Sequence, residues 1–302
     1  MIVNHERLGS DNPEFGGGLG LYDVSRPATP RLIHRWRTAG SGVHRYDFDR
    51  RYTYISPTAE GFVGNIVMIL DLADPTKPVE AGRWWIPGQN AAAGERYPWD
   101  GCVKPRCHHP LRMGDHLYVS YWHHGPFILD ISDLAHPRAV AAVNFSRAHP
   151  HPTHTCLPVP QPIMGRQIMV VADEDVAKLR PSPPAFAWVY DITDERQPMP
   201  IATCRVPGLD PDGAPQAPMT SCHQPSEVYS GTIIPFAWFA QGLRLFDLAD
   251  PFAPREIGCY EPDVPAGCEQ VSSNDVTMDR RGLIYLTDRQ HGVDIIEFLG
   301  KR

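Results

Sequence analysis

The chain has 302 residues, which is enough for one large domain with a substantial core. Its net charge of −7 arises from interspersed acidic and basic residues, so the basic surface of a nucleic-acid-binding protein is not visible. No apolar run approaches the roughly 18 residues of a membrane span, and the first residues, Met-Ile-Val-Asn-His-Glu-Arg, lack the regions of a signal peptide. The sequence thus predicts a cytoplasmic protein without nucleic-acid or membrane partners, whose seven cysteines are reduced.

Short segments rich in β-branched and aromatic residues recur along the chain, separated by turns that contain many of its 32 prolines and 25 glycines. The first repeat is incomplete and has predicted strands at Met1–Val3 and Gly20–Val24. The second repeat has four, at Val43–Phe48, Tyr52–Ser56, Asn65–Leu72 and Val79–Trp85. Second strands of later repeats are predicted at His116–Ser120, Ile168–Ala172, Thr232–Ala237 and Leu283–Thr287. The last repeat ends after its third strand, near Phe298.

One turn sequence joins the third and fourth strands of five repeats. Its consensus is Asp-Φ-Ser/Ala-Asp-Pro-x-x-Pro, where Φ is apolar, and its first residue is Asp23, Asp71, Asp130, Asp191 or Asp247. Aspartate accepts backbone hydrogen bonds in such turns and proline fixes φ. A period of roughly 50 to 60 residues with four strands per repeat is typical of propellers. We therefore predict an all-β fold, a propeller of about six four-stranded blades with seven as the alternative, in a single domain over residues 1–302.

The pattern Gly-Leu-x-Leu-Φ-Asp-Φ-Ser/Ala-Asp-Pro-x-x-Pro resembles the LVIVD-repeat β-propeller family, from Gly18 to Phe298. This resemblance implies the fold and says little about function. By analogy of site architecture, histidines on inner strands are similar to those of two groups of metal-binding propellers. These are the selenium-binding-protein/methanethiol-oxidase group and the carotenoid-cleavage oxygenases, which have four iron-binding histidines.

Four histidines fall at one position of the predicted inner strands. His44 and His108 each precede their second-strand serine by 12 residues, and Cys222-His223-Gln224-Pro225 matches Cys107-His108-His109-Pro110. His154 takes the same place in the fourth repeat, and Asn274-Asp275 in the sixth. Because inner strands line the channel of a propeller, the four imidazoles are expected to surround one point. They predict one transition-metal ion, with Fe or Cu favoured and Mn or Zn as alternatives.

Two other interpretations of these histidines are structural. A single inward-facing histidine is more often a hydrogen-bonded filler of a polar channel than a ligand, and a repeated one can be a remnant of the repeat consensus. The adjacent Cys107 and Cys222 alternate to the opposite strand face, which argues against thiolate ligation. Cys156 is the one exception, because its spacing of two residues from His154 allows it the same face.

The loops between second and third strands carry acids, imidazoles and aromatic residues, which is typical of a binding pocket. From these loops we select Glu60, Glu174 and His124 as candidates for acid–base catalysis or for orienting the metal ligands. Trp122, Trp238 and Phe239 are candidate apolar walls.

These residues predict a metal-dependent enzyme with a mononuclear histidine site, first of all an oxidoreductase or oxygenase acting on a small, partly aromatic molecule. A lyase or hydrolase without redox change is the first alternative, with Glu60 or Glu174 moving the proton. A noncatalytic propeller that binds a protein is the second. The sequence leaves the oligomeric state open.

Overall fold

The computed structural model describes residues 1–7, 16–96, 104–145, 149–176, 184–206 and 221–300. The chain divides into two compact units, Met1–Asn144 and Phe145–Arg302. Each unit contains three antiparallel sheets, built from strands that are consecutive in the sequence. The single domain over residues 1–302 stays a prediction.

The first unit contains a three-stranded sheet followed by two four-stranded sheets. Their strands are β1 (Ile2–His5), β2 (Gly18–Asp23) and β3 (Arg31–Arg37), then β4 (Val43–Phe48), β5 (Tyr52–Pro57), β6 (Val67–Asp71) and β7 (Val79–Trp84), then β8 (His109–Met113), β9 (His116–Ser120), β10 (Pro126–Asp130) and β11 (Arg138–Ala142).

The second unit contains two four-stranded sheets followed by a three-stranded one. Their strands are β12 (Thr153–Pro158), β13 (Ile168–Asp173), β14 (Ala187–Asp191) and β15 (Met199–Cys204), then β16 (Gln224–Pro225), β17 (Ile233–Trp238), β18 (Gly242–Asp247) and β19 (Arg255–Tyr260), then β20 (Ser273–Met278), β21 (Leu283–Asp288) and β22 (Gly292–Glu297).

The prediction of an all-β propeller with about six blades is confirmed, because the described residues form six meandering antiparallel sheets. As the sequence indicates, the first sheet has no inner strand and the last sheet has three strands among the described residues. The helical segments described are single turns, Ala91–Ala93 and Phe239–Gln241. Among the described residues, no helix has the length and apolar character that crossing a lipid bilayer requires.

Apolar residues on the strand faces are buried between neighbouring sheets of each unit. Leu21 and Ile55 belong to one cluster, formed by the first and second sheets. Ile69 and Leu117 belong to another, formed by the second and third sheets, and the fifth and sixth sheets form a third cluster that includes Leu245. Alternation along each strand thus places one set of side chains in the core. The polar groups described below lie at the ends of the strands.

The repeated aspartate caps the turn in all five copies. One of its carboxylate oxygens accepts the backbone N–H group two residues later at 2.8–2.9 Å, in the pairs Asp23–Ser25, Asp71–Ala73, Asp130–Ser132, Asp191–Thr193 and Asp247–Ala249. The second aspartate of the motif does the same at 2.9–3.1 Å, in the pairs Asp74–Thr76, Asp133–Ala135, Asp194–Arg196 and Asp250–Phe252. The turn is therefore closed by side chains, as the sequence predicts.

We expect Asp71→Ala to lower the free energy of unfolding, because the Ala73 N–H group loses its acceptor. Asp71→Asn keeps an acceptor oxygen and gives up only an ion pair with the largely exposed Arg51, which is worth little. Urea denaturation of both variants and the wild type measures the difference. Equal stability of the alanine variant and the wild type would contradict this role.

Candidate metal centre

The four predicted histidines occupy corresponding backbone positions, which we call the inner-strand position: His44, His108, His154 and His223. In the third and fifth sheets the histidine N–H group donates to a second-strand carbonyl group, at 2.8 Å to Ser120 and at 3.0 Å to Ala237. In the second and fourth sheets the histidine lies in a bulge, where the inner strand has one residue more than its partner. The alignment made from sequence spacing therefore matches the strand register.

Strand pairing also aligns a second set of residues, at the point where the chain leaves each second strand. We call this the loop position, and its residues in chain order are Glu6, Thr58, Trp122, Glu174, Phe239 and Arg289. Five of these six residues make such contacts: four contact an inner-strand histidine, and Arg289 contacts Phe239, which does so. The two positions together build the candidate site.

In the first unit, Glu6, His44 and His108 form a chain of contacts. Nδ1 of His44 lies 2.5 Å from Oε2 of Glu6, and its Nε2 lies 2.7 Å from Nε2 of His108. Because the carboxylate holds a proton on Nδ1, Nε2 of His44 presents its lone pair. Two nitrogen ligands at 2.1 Å from one tetrahedral ion lie about 3.4 Å apart, so these two nitrogens would have to move apart by about 0.7 Å to bind a metal together.

The ring of Trp122 supports His108. The two rings stack with centroids 4.8 Å apart and planes inclined by 17°. The guanidinium of Arg106 lies over the Trp122 ring, 5.1 Å from its centroid. Nη2 of the same guanidinium is 3.8 Å from Oε1 of Glu6. Trp122 has a φ of 42°, a left-handed conformation that costs a bulky residue roughly 1–3 kcal/mol. The contacts with His108 and Arg106 hold the indole ring in place and so fix the orientation of the imidazole.

Burial sets the charge of this histidine pair. It lowers the pKa of His44, an effect that the contact with Glu6 opposes, and it lowers the pKa of His108 well below the ordinary value. Both rings are therefore neutral at neutral pH, which is the form that binds a metal ion.

The cysteines that precede two of the histidines are not suited to ligation. Cys107 and Cys222 are fully buried, and burial raises the pKa of each thiol well above its ordinary value. Both stay protonated at neutral pH, so imidazole is the donor that these strands offer.

In the second unit, His154, Glu174 and His223 form a buried group. They are 1%, 8% and 4% exposed, and one ligand atom from each lies within 4.8 Å of the other two. The two imidazole centroids are 4.1 Å apart, and Oε1 of Glu174 is 3.8 Å from Nε2 of His223. Two imidazoles and one carboxylate are a donor set for Zn²⁺ and for nonhaem iron.

Neighbouring groups fix both rings of this unit. Nδ1 of His223 donates to the backbone carbonyl of Asn274, which leaves Nε2 with a lone pair. Phe239 packs against His223 with centroids 4.7 Å apart, and the guanidinium of Arg289 lies 5.4 Å from the Phe239 ring. Nδ1 of His154 is 2.8 Å from the Thr155 hydroxyl oxygen.

The structure thus pairs His44 with His108 in one unit and His154 with His223 in the other, while ligation of one ion by all four stays a prediction. Glu174, selected for proton transfer or for orienting ligands, lies among the ligand atoms themselves.

The other two selected residues lie elsewhere. Glu60 is exposed in the turn after β5. His124 is 3% exposed and packs edge-on against the core residue Tyr121, with centroids 6.4 Å apart. Each lies two residues beyond the loop position of its sheet, so the register gives Thr58 and Trp122 the place that Glu174 has. Their catalytic roles stay predictions.

Sequence reasoning missed Glu6 and the part played by Asn274. Glu6 has the same repeat position as Glu174, and each of these glutamates contacts the histidine of the following sheet. A count from the repeated aspartate backwards through the third and second strands would have found this equivalence.

Comparisons with known proteins support the fold. The family model of the LVIVD repeat matches residues 113–144, so the predicted resemblance is confirmed for that repeat. Among curated proteins, none matches the sequence.

Solved structures share the architecture at low identity. A Lactobacillus plantarum protein has a TM-score of 0.65 and 11% identity, with 98% of this chain and 81% of that one covered. The periplasmic gluconolactonase of Pseudomonas aeruginosa has a TM-score of 0.63 and 12% identity, with 98% and 81% covered. The β-propeller domain of Cps50 (Swd1) from Myceliophteria thermophila has a TM-score of 0.55 and 13% identity, with 100% and 91% covered. These likenesses show the fold alone.

The buried His124 makes stability depend on pH. Burial lowers its pKa to about 4, whereas an unfolded histidine titrates near 6.5. Between these values the unfolded state binds a proton that the folded state does not, so stability falls as the pH drops from about 6.5 to 4.

We expect His124→Gln to flatten this decline, measured as the change in urea midpoint between pH 7.5 and pH 5. His136→Gln replaces an exposed histidine and is the matched control. An unchanged slope in His124→Gln would show that another group causes the decline.

Proposed function

We propose that this protein is a metal-dependent enzyme whose ion is bound by His154, His223 and Glu174. The strongest support is the convergence of their ligand atoms within 4.8 Å in a buried setting. A buried carboxylate beside two imidazoles is costly to desolvate unless a cation compensates its charge. Three protein donors leave coordination positions open for water and for a substrate oxygen.

The histidine pair of the first unit also has a glutamate beside it, since Glu6 holds the Nδ1 proton of His44. We propose that His44 and His108 also serve as metal ligands. That they share one ion with His154 and His223 is the prediction made from sequence, and metal stoichiometry tests it.

The reaction class that this site supports best is metal-assisted hydrolysis of a small molecule. A bound divalent ion supplies a water of lowered pKa and polarises a carbonyl group. As a ligand, Glu174 neutralises charge and is not free to carry the proton. His223 is held by the backbone of Asn274, and Phe239 excludes water from one side of its ring.

The fold likeness to a gluconolactonase supports an ester or lactone as the bond that is cleaved. Arg289 is exposed and lies on Phe239, so it offers a cation to an anionic group of the substrate. The substrate is thus proposed to be a small ester or lactone that carries a negative charge.

Oxygen chemistry is the second candidate, and the donor set favours it specifically. Two histidines and one carboxylate with open positions are typical of nonhaem Fe(II) oxygenases. With iron, the same site would act as an oxygenase on a small, partly aromatic molecule. The metal identity decides between the two reactions.

We expect the purified chain to hold a divalent transition-metal ion, and His154→Ala, His223→Ala and Glu174→Ala each to lose most of it. Removal of one of three donors weakens binding steeply, and elemental analysis after dialysis measures the loss. His136→Ala, which removes an exposed imidazole, is the control and should keep the metal.

Unchanged metal content in all three variants would exclude these ligands. Wild-type protein without metal, together with unchanged stability of the histidine variants, would favour the noncatalytic, protein-binding alternative. If the wild-type chain binds a single ion and His108→Ala also loses it, the four-histidine prediction is supported. If His108→Ala keeps that ion, His108 is not one of its ligands and the two histidine pairs do not share it.

Reconstitution then tests the reaction. We expect the Zn²⁺ form to hydrolyse anionic esters and lactones, with at least about a hundredfold loss of kcat/KM in Glu174→Ala, or roughly 3 kcal/mol of transition-state stabilisation. Lactone turnover is followed by acid release at constant pH. Oxygen uptake by the Fe²⁺ form without hydrolysis by the Zn²⁺ form would favour the oxygenase.

A further inference from the structure

The sixth sheet places Asn274 at the inner-strand position. In β12, Thr153 pairs with Asp173 and Thr155 with Ala172, so His154 is the extra residue of a bulge. In β20, Ser273 pairs with Asp288 and Asp275 with Thr287, which makes Asn274 the extra residue of the same bulge. The backbone therefore presents Asn274 as it presents His154.

Asn274 also lies directly beside a proposed ligand. Its backbone carbonyl accepts the Nδ1–H of His223, so the residue that orients this imidazole is itself at the inner-strand position. The next residue, Asp275, accepts a hydrogen bond from Gln224, which follows His223. Two consecutive contacts thus tie the inner strands of the fifth and sixth sheets together at this point.

The side-chain oxygen of Asn274 is buried and has no hydrogen-bond partner among the residues that the structure describes. Leaving a buried acceptor unpaired is costly, so such groups in folded proteins usually meet a water, an ion or a ligand. An amide oxygen is a hard, neutral donor that suits Zn²⁺, Mn²⁺ or Fe²⁺ better than a soft ion such as Cu(I).

We propose that Oδ1 of Asn274 is a further ligand of the metal held by His154, His223 and Glu174. This inference rests on the proposed function and adds the fourth donor to its site. A neutral oxygen leaves the charge of the centre unchanged, raises the number of protein ligands to four, and favours oxygen-preferring divalent ions. It also gives the unpaired oxygen its partner.

Co²⁺ titration of the metal-depleted full chain tests the assignment, because the visible absorption of Co²⁺ reports its coordination. We expect Asn274→Leu, which has similar size and no donor, to bind Co²⁺ at least about tenfold more weakly and with an altered visible band. Asn274→Asp supplies a carboxylate oxygen instead and should bind at least as tightly as the wild type.

Gln270→Leu is the matched control. It removes another buried amide oxygen that lacks a partner among the described residues, at a site outside the inner-strand position. We expect its affinity and spectrum to equal those of the wild type, and thermal melting shows that each variant is folded.

Wild-type affinity and spectrum in Asn274→Leu would overturn this inference and leave the proposed function standing. Wild-type protein that binds Co²⁺ no better than His223→Ala would instead overturn the proposed function, and the fourth ligand with it.

Discussion

The pairing of each second strand with its neighbouring strands is the constraint on which the site depends. It fixes two positions, one at the beginning of the inner strand and one where the chain leaves the second strand. Backbone hydrogen bonds set both, so the chemistry of a sheet changes by substitution without a change of geometry. At one such position, Glu6 and Glu174, Trp122, and Phe239 show three different residue types.

Charge and orientation of the imidazoles follow from those positions. Each unit has a glutamate that contacts the histidine of the next sheet, as in Glu6 with His44 and Glu174 with His223. An aromatic ring from the loop position packs on a histidine in both units as well. Rings held in this way present a chosen nitrogen and lose little entropy when they bind an ion.

The fold was readable from the sequence because its signals are local. The repeated aspartate closes a turn through a backbone N–H group two residues away, and that turn fixes the ends of the flanking strands. Spacing from the second strand then located the four histidines. The loop position was harder to find, since it depends on pairing across two strands. Glu60 and His124 were selected on residue type and lie two residues beyond it, whereas Glu6 was passed over in an incomplete first repeat.

Asn274 was also hard to identify from the sequence. It is not a histidine, so the histidine pattern ends before the sixth repeat. Only the bulge in β20 and the unpaired amide oxygen restore the equivalence.

The buried thiols beside His108 and His223 have a consequence for metal selection. Cys107 and Cys222 are fully buried just before β8 and β16 and stay protonated, so thiophilic ions such as Cd²⁺ or Cu⁺ find no sulfur anion there. The same burial shields both sulfurs from peroxide, since the reactive thiolate form is absent. A centre assembled from nitrogen and oxygen would therefore discriminate between ions by hardness, and aerobic exposure would leave its supporting strands chemically intact.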